Sequence, residues 1–303
     1  MIEFDCITVE RLGAVVLDRL SHGIHAGQAV AVIGPSAAGK SSLLETLATL
    51  LPLQSGSLRI DGHDATNQAA AVRRLIGYVP AGVPAWPMIR VDECLELFAS
   101  AAGLRGEQLA AAVSRSLETV GMIHLAAHRI DALPANQSKR LLLARALLHE
   151  PPILLLDNPG DSLDADGNRL LEELVTAAPL VGRVIIAAFN DAEIPPGYTD
   201  LMLLDEGRLV KNGPCRPEAY PEVDHWQIRI DCPESAALAA RAIGHIATSS
   251  TVVDDHTLRC NLSVARGPVQ EAIAAVIRAN VPVTGCCYDP PWPAQLIAHY
   301  ARR

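Results

Sequence analysis

Short apolar runs alternate with stretches of helical periodicity along the first two thirds of the chain. Three runs have the length and apolar character of buried strands, and they span residues 28–33, 152–157 and 183–188. The stretches between them predict helices at 41–51 and 167–177 and a mostly helical region from 91 to 148. Strands that alternate with helices are typical of an α/β domain with a parallel core sheet.

Two further strands and a hairpin complete this first domain. Residues 56–62 alternate between apolar and polar positions and end in a turn, and residues 74–79 predict another strand. Residues 201–211 predict a hairpin that turns at Glu206-Gly207. We therefore expect one domain over residues 1–213, with a helical subdomain at about 83–148.

A second pattern begins after a proline-rich joint that contains Pro214, Pro217 and Pro221. The predicted elements, in chain order, are strand 226–231, helix 234–244, strands 246–253 and 257–263, helix 267–280 and strand 281–287. The order β-α-β-β-α-β is that of a ferredoxin-like α+β domain, which we expect over residues 222–303.

Composition and charge narrow the possible functions. The chain has 303 residues, enough for two domains, and a formal net charge of -9 without a run of Lys or Arg, so we expect no nucleic-acid partner. We expect its short basic clusters to be solvated faces; they are Arg73-Arg74, Lys139-Arg140 and Arg302-Arg303. Its seven cysteines include no C-x-x-C pair, and we expect reduced core thiols in a reducing compartment. The histidines, among them His63, His124, His128 and His149, lack the spacing of metal ligands.

The hydropathy of the chain predicts a soluble, cytoplasmic protein. No stretch approaches the roughly 20 apolar residues that a membrane-spanning helix requires. The segment Met1-Ile2-Glu3-Phe4-Asp5 is acidic and lacks the cationic start of a signal peptide. If the protein acts at a membrane, we expect another chain to supply the membrane-spanning part.

A glycine-rich loop between a predicted strand and a predicted helix carries the main chemical signal. It fits G-x-x-x-x-G-K-[ST] and comprises Gly34, Pro35, Ser36, Ala37, Ala38, Gly39, Lys40 and Ser41, followed by Ser42. Backbone N–H groups and the helix N-terminus of such a loop bind phosphates. We expect Lys40 to reach the β- and γ-phosphates of ATP, and Ser41, with Asp157 at the end of a later strand, to bind Mg²⁺.

Beyond this loop, the sequence resembles the ATP-binding cassette (ABC) ATPases. The slot of the family signature L-S-G-G-Q is filled by Leu133, Pro134, Ala135, Asn136 and Gln137. Pro159 and Leu163-Asp164 match the segment called the D-loop, and Glu206-Gly207-Arg208 resembles the closing hairpin of the cassette. The C-terminal unit, with its tail at residues 289–300, is similar to the small domain of export-type members.

The resemblance implies a P-loop fold with a parallel core sheet, an antiparallel β subdomain and a helical subdomain. It also implies ATP and Mg²⁺ as ligands, a second cassette in a homo- or heterodimer, and a membrane-spanning subunit as partner. The chain would then lie on the cytoplasmic face of the cell membrane. In the family, Asp164 would serve communication between subunits, and the loop that contains Trp86 would face the membrane partner. Trp86 is either an interface anchor or a core residue.

Several positions depart from the family in ways that touch one reaction. Asn158 stands in place of the catalytic glutamate, Phe189 in place of the switch histidine and Ala81 in place of the Q-loop glutamine. Leu12 replaces the aromatic residue that stacks on adenine, and we expect it only to pack. In the signature, Pro134 lacks a hydroxyl and an N–H, while Ala135 and Asn136 carry side chains where backbone approaches phosphate.

These departures predict ATP binding with weak or absent hydrolysis at the chain's own site. An amide cannot accept a proton at neutral pH, and losing a positioned general base typically lowers a rate by roughly 10²–10⁴-fold. Two alternatives remain: Asp161 could replace the missing catalytic base, or the chain could be a divergent ATPase that still hydrolyses ATP. The functional alternatives are a subunit of an ABC exporter, a non-hydrolysing regulatory or scaffolding subunit, and a soluble ABC protein of DNA repair or translation. Neither the transported substrate nor the partner follows from the sequence.

Overall fold

The computed structural model describes residues 1–83, 88–190, 194–220, 223, 225–233, 235–263, 269–288 and 292–300. Trp86, which the sequence singled out, and Pro290-Pro291 of the tail lie outside the described residues. The chain divides into two compact units, which meet in sequence at Gly213 and Pro214.

The first unit contains ten strands and six α-helices among the described residues. Its strands are β1 Ile2–Arg11, β2 Ala14–Ile24, β3 Ala29–Ile33, β4 Ser55–Ile60, β5 His63–Asp64, β6 Ile76–Val79, β7 Ile153–Asp157, β8 Val184–Ala188, β9 Asp200–Asp205 and β10 Arg208–Pro214. Its helices are α1 Lys40–Leu47, α2 Ala69–Arg74, α3 Val91–Ala101, α4 Gly106–Thr119, α5 Ala135–Leu147 and α6 Ala165–Ala177.

Two sheets organise this unit. The core sheet has the order β10-β9-β3-β8-β7-β6, and its central strands run parallel. Strands β3, β7 and β8 are buried at every position, which explains why each reads as a continuous apolar run. The second sheet, β2-β1-β4-β5, is antiparallel. The predicted P-loop α/β fold with an antiparallel subdomain and a helical subdomain, α3 to α5, is confirmed.

Two predicted elements of this unit are wrong at their bounds. The helix predicted at 41–51 ends at Leu47, because Thr49 adopts a left-handed φ of 59° and the chain turns back over the last helical turn. The strand predicted from Arg74 begins at Ile76, since Arg74 is the last residue of helix α2, which the sequence analysis missed. The run Ala69-Ala70-Ala71 favours this helix.

The second unit is a four-stranded antiparallel sheet with helices. Its elements are β11 His225–Asp231, α7 Ala236–Ile243, β12 Ala247–Val252, β13 Thr257–Ser263, α8 Val269–Arg278, β14 Gly285–Tyr288 and α9 Trp292–Tyr300. The strand order β12-β13-β11-β14 is the ferredoxin-like one, and the core beneath it includes Ile228, Ile230, Leu258, Ile243 and Val276. The last strand begins at Gly285, four residues later than predicted.

Among the described residues, Cys6, Cys94, Cys232, Cys260, Cys286 and Cys287 form no disulfide. Cys94, Cys232 and Cys260 are buried and pack as apolar residues, but Cys6 and Cys287 are exposed, so the expectation of core thiols is wrong for these two. Burial raises the pKa of the Cys260 thiol to about 12, which keeps it protonated and unreactive.

Candidate functional site

The glycine-rich loop lies where strand β3 ends and helix α1 begins. Gly34 has a φ of 152°, and a Cβ there would come within 2.1 Å of the carbonyl oxygen of Leu204. Gly39 has a φ of 98°, and a Cβ there would lie 2.6 Å from the carbonyl oxygen of Val16. Both positions therefore require glycine, because a side chain there would collide with neighbouring backbone.

Lys40 is the first residue of α1, and its side chain lies across the loop. Its Nζ donates to the carbonyl oxygens of Gly34 and Pro35, each over 2.8 Å. Only 4% of the residue is exposed, and burial lowers the pKa of its ammonium group. A desolvated cation beside helical N–H groups without intrahelical partners suits a phosphate anion.

The closing hairpin supports the loop from behind. The backbone N–H of Gly207 donates to the carbonyl oxygen of Ala38 over 3.1 Å, and the N–H of Asp18 donates to Gly207 over 2.9 Å. Gly207 has a φ of 76°, and a Cβ there would lie 2.7 Å from Val16. The turn between β9 and β10 thus joins the phosphate loop to strand β2.

Asp157 ends strand β7 at the same edge of the sheet. It is 4% exposed, and burial raises the pKa of its carboxyl group, while a hydrogen bond with Ser41 and the charges of Lys139 and Lys40 lower it. A hydroxyl and a carboxylate are oxygen ligands of the kind that Mg²⁺ prefers. Within the described residues no three His, Cys, Asp or Glu side chains cluster, so a metal here would also use water and phosphate oxygens.

Lys139, which the sequence analysis wrongly placed on a solvated face, is a buried cation next to this edge. It is 1% exposed, and its Nζ donates to the carbonyl oxygens of Pro80 and Ala81 over 3.0 Å and of Asp157 over 3.4 Å. Its position three residues before the buried Leu142 was the available signal, because residues three apart share a helix face. It ties helix α5 to the loop that contains Ala81.

Asn158 follows Asp157 and uses both ends of its side-chain amide. Nδ2 donates to the carboxylate of Asp161, and Oδ1 accepts from the backbone N–H of Asn190 over 3.0 Å. The residue has a left-handed φ of 47° and is 7% exposed. An amide so engaged holds loops together and has no lone pair basic enough to take a proton.

Phe189 and Leu12 present only apolar groups. Phe189 directly follows strand β8 with 7% of its surface exposed, and its ring packs edge-on against Tyr198 at a centroid distance of 5.3 Å. Leu12 occupies the turn between β1 and β2 with its side chain fully exposed. The left-handed φ of 53° at Leu12 points to a tight turn as the reason.

The signature segment begins helix α5 and contacts the D-loop, residues 159–164. Pro134 is the residue at the helix N-cap, and Leu133, Ala135 and Gln137 flank it. Asn136 Nδ2 donates to Asp164 Oδ2 over 3.0 Å, and Arg140 also binds this carboxylate. Arg140, the backbone N–H of Gly167 and Asn136 lower the pKa of Asp164 to about 2. Sequence alone assigned Asn136 a loss of function and not this contact.

A cavity of about 560 Å³ opens between α2, β6, α3 and the end of α5. Its basic and aromatic lining residues are Arg73, Arg74, Tyr78, Phe98, Arg145 and His149. The Arg145 guanidinium lies 4.9 Å from the centre of the Phe98 ring, a cation–π distance. Arg73 and Arg74, taken from sequence as a solvated face, thus border a groove.

Among the helices of the described residues, none combines the length and hydropathy needed to cross a bilayer. The sequence model of the family "ABC transporter" matches residues 17–161. The cobalamin import ATP-binding protein BtuD of Halobacterium salinarum is 30% identical over 290 residues, which cover 88% of this chain and 73% of the relative. The Nod factor export ATP-binding protein I of Burkholderia thailandensis is 29% identical over 225 residues, 74% of each chain.

A solved structure carries the same fold. The dimeric cassette MJ0796, in a post-hydrolysis state bound to ADP and Pi, superposes with a TM-score of 0.65 at 24% identity and covers 71% of this chain and 99% of its own. Cassettes of this kind bind ATP, typically with Mg²⁺, and pair with each other and with membrane-spanning transporter subunits. Since a relative of 30% identity matches along most of both chains, the protein belongs to the ATP-binding subunits of ABC transporters.

Proposed function

We propose that this chain holds Mg-ATP on residues 34–42 and hydrolyses it weakly or not at all at its own site. The observation that carries the proposal is the state of Asn158. Its amide stands where the family has a glutamate, and both of its ends are already hydrogen-bonded to protein. A group that cannot accept a proton and is not free to turn cannot activate water.

Three of the described residues at this site, Asp161, Phe189 and Ala81, are poor replacements for that base. Asp161 has one carboxylate oxygen bound to Asn158, and Phe189 presents a hydrocarbon ring. Ala81 contributes its backbone carbonyl to Lys139 and has no polar side chain. These features support binding without efficient turnover.

The binding step itself follows from the loop. Its backbone N–H groups and the start of α1 would bind a phosphate chain, and Lys40, now bonded to Gly34 and Pro35, would donate to phosphate oxygens. Ser41 and Asp157 would hold Mg²⁺, whose charge would offset that of the phosphates.

A paired measurement tests the proposal on the purified chain. Affinity for a fluorescent Mg-ATP analogue and phosphate release are measured for wild type, Lys40→Ala and the exposed-cation control Arg169→Ala. We expect tight binding and little phosphate release for wild type and the control. Lys40→Ala should bind about 100-fold more weakly, because two or more charge-assisted hydrogen bonds are lost. Brisk release that Lys40→Ala abolishes would contradict the proposal.

For the direction of transport we propose export. The support is the resemblance of residues 222–303 to the small regulatory or dimerisation domain of export-type members, and the similarity to the Nod factor export protein. On this proposal the chain works at the cytoplasmic face of a membrane, where its own cassette pairs with a second one. A non-hydrolysing, regulatory or scaffolding subunit is compatible with it.

Import is the second candidate, because the match to the cobalamin import protein extends over 88% of this chain. Uptake of labelled cobalamin by cells with and without the chain separates the two. Uptake that depends on the chain and on Lys40 favours import. Unchanged uptake removes the specific support for import.

The 560 Å³ groove is our candidate for the contact with a membrane-spanning subunit. Three arginines and Phe98 border it, a surface that complements an acidic segment with one or two apolar side chains. The groove adjoins Tyr78 of strand β6. The segment with Trp86, which the family resemblance directs to the membrane partner, comes after this strand in the sequence.

A further inference from the structure

An asparagine amide fixes the D-loop near each of its ends. Just before it, Asn158 Nδ2 donates to Asp161. At its last residue, Asn136 Nδ2 donates to Asp164 over 3.0 Å. Neither bond is available to a chain with the family's residues, since an ionised glutamate at 158 has no donor and a glycine at 136 has no side chain.

Asn158 also joins the D-loop to the core sheet. Its Oδ1 accepts from the backbone N–H of Asn190 over 3.0 Å, and its own N–H donates to the carbonyl oxygen of Ala188 over 2.9 Å. These bonds continue the pairing of β7 with β8 past the ends of both strands. The amide is buried and one of its partners is charged, which are the conditions under which a hydrogen bond is strong.

The two strands that Asn158 connects lie next to β3, the strand that precedes the phosphate loop. β8 is the neighbour of β3, and β7, which ends in Asp157, is the next strand. We propose that Asn158 is a positioning residue that locks these strand ends to the D-loop through Asp161 and Asn190, and thereby slows the release of bound nucleotide. This inference rests on the proposed function, because it concerns how long the loop retains Mg-ATP.

Exchanging the hydrogen-bond donor at position 158 and the acceptor at position 161 tests this positioning role of Asn158. Asn158→Asp places a second carboxylate against Asp161 and removes the donor. Asp161→Asn keeps an uncharged acceptor. The double variant restores the bond in the opposite direction, and its carboxylate at position 158 still accepts from the N–H of Asn190. Dissociation of a fluorescent Mg-ATP analogue is followed by chase with unlabelled ATP, and hydrogen exchange reports on the Asn190 amide.

We expect Asn158→Asp to speed nucleotide release about tenfold, the effect of losing one hydrogen bond to a charged group. Asp161→Asn should have a smaller effect, and the double variant should return to within about twofold of wild type. The Asn190 amide should exchange faster in Asn158→Asp and recover in the double variant. Glu173→Gln, an exposed change on α6, is the matched control and should leave both readouts unchanged.

Two results would overturn the proposed role of Asn158. Asn158→Asp could retain nucleotide as long as wild type, or the double variant could release it as fast as Asn158→Asp. If wild type binds no Mg-ATP, the proposed function fails first. In that case exchange of the Asn190 amide in the free chain still decides whether Asn158 fastens these loops, because the readout needs no nucleotide.

Discussion

Asp164 joins three elements through one carboxylate. It is the N-cap of α6, where it accepts from the N–H of Gly167 over 2.9 Å, and it binds Arg140 and Asn136 of helix α5. These donors favour the ionised form, which is why the pKa of its carboxyl group falls to about 2. Neutralising the group removes a link between the signature helix and the D-loop.

The pH dependence of stability follows from this shift. A carboxylate with a lowered folded-state pKa stabilises the protein above its unfolded value, near 3.8, and this contribution disappears as pH falls towards about 2. We expect Asp164→Asn to lower the urea midpoint at pH 7 and to differ progressively less from wild type below pH 3.8. A constant difference between pH 7 and pH 3 would show that the charge of Asp164 is not the cause.

The hydrogen bond from Asn136 to Asp164 should also contribute to stability. Asn136→Gly restores the family's residue but deletes a hydrogen bond to a carboxylate and adds backbone freedom near the start of α5. We expect a loss of stability of about 1–3 kcal/mol in urea unfolding. Asn136→Asp, which cannot donate to Asp164, should lose at least as much, whereas equal stability of all three proteins would contradict the contact.

Sequence predicted some single residues and missed others for a physical reason. The motif from Gly34 to Ser41 could be recognised because its backbone geometry requires glycine at fixed positions. The partners of Lys139 and Asn136 could not be predicted, since they lie 18 or more positions away in the chain. Such contacts exist only once α5 packs beside β7 and the D-loop.

At the scale of elements, the loop between β3 and α1 depends on two neighbours. Strand β2 contributes the carbonyl of Val16 near Gly39, and the turn before β10 contributes Gly207. The buried apolar strands were predictable from their composition, because both faces of a parallel sheet are covered. Helix α2 was not, since six residues are too few for a periodic signal.

Alanine substitutions at two glycines distinguish the cost of backbone strain from the cost of a steric clash. Gly39 and Gly62 have left-handed φ values of 98° and 80°, but a Cβ at Gly62 meets nothing within 4 Å. We expect Gly62→Ala to cost about 1–2 kcal/mol of unfolding free energy, the strain of a left-handed alanine. Gly39→Ala should cost about 1–3 kcal/mol more and should also weaken ATP binding, because the backbone at Val16 must move.

Urea unfolding and titration with a fluorescent ATP analogue measure both effects. The Gly62→Ala variant is the control, since its position lies in the turn after β4 and away from the phosphate loop. Equal losses of stability in the two variants, or an unchanged affinity of Gly39→Ala for ATP, would mean that the phosphate loop accommodates a Cβ at position 39.

At the scale of the whole molecule, the first unit has the fold of cassettes that act as dimers. We expect Mg-ATP to convert the purified chain to a species of twice its mass in light scattering. ADP, or Mg-ATP with Lys40→Ala, should leave the mass unchanged, because the loop then offers no bound triphosphate to a second cassette. A mass that is the same with and without Mg-ATP would favour a partner cassette of different sequence, as in a heterodimer.

On the proposed function, the chain binds a triphosphate that it cannot efficiently cleave. Single-turnover incubation with radiolabelled Mg-ATP, with protein in excess, measures the fate of the bound nucleotide most directly. We predict recovery of intact ATP, with cleavage slower than about 0.1 per second, against roughly 1–10³ per second for typical enzymes. Cleavage within that typical range would contradict the assignment of Asn158 and Phe189.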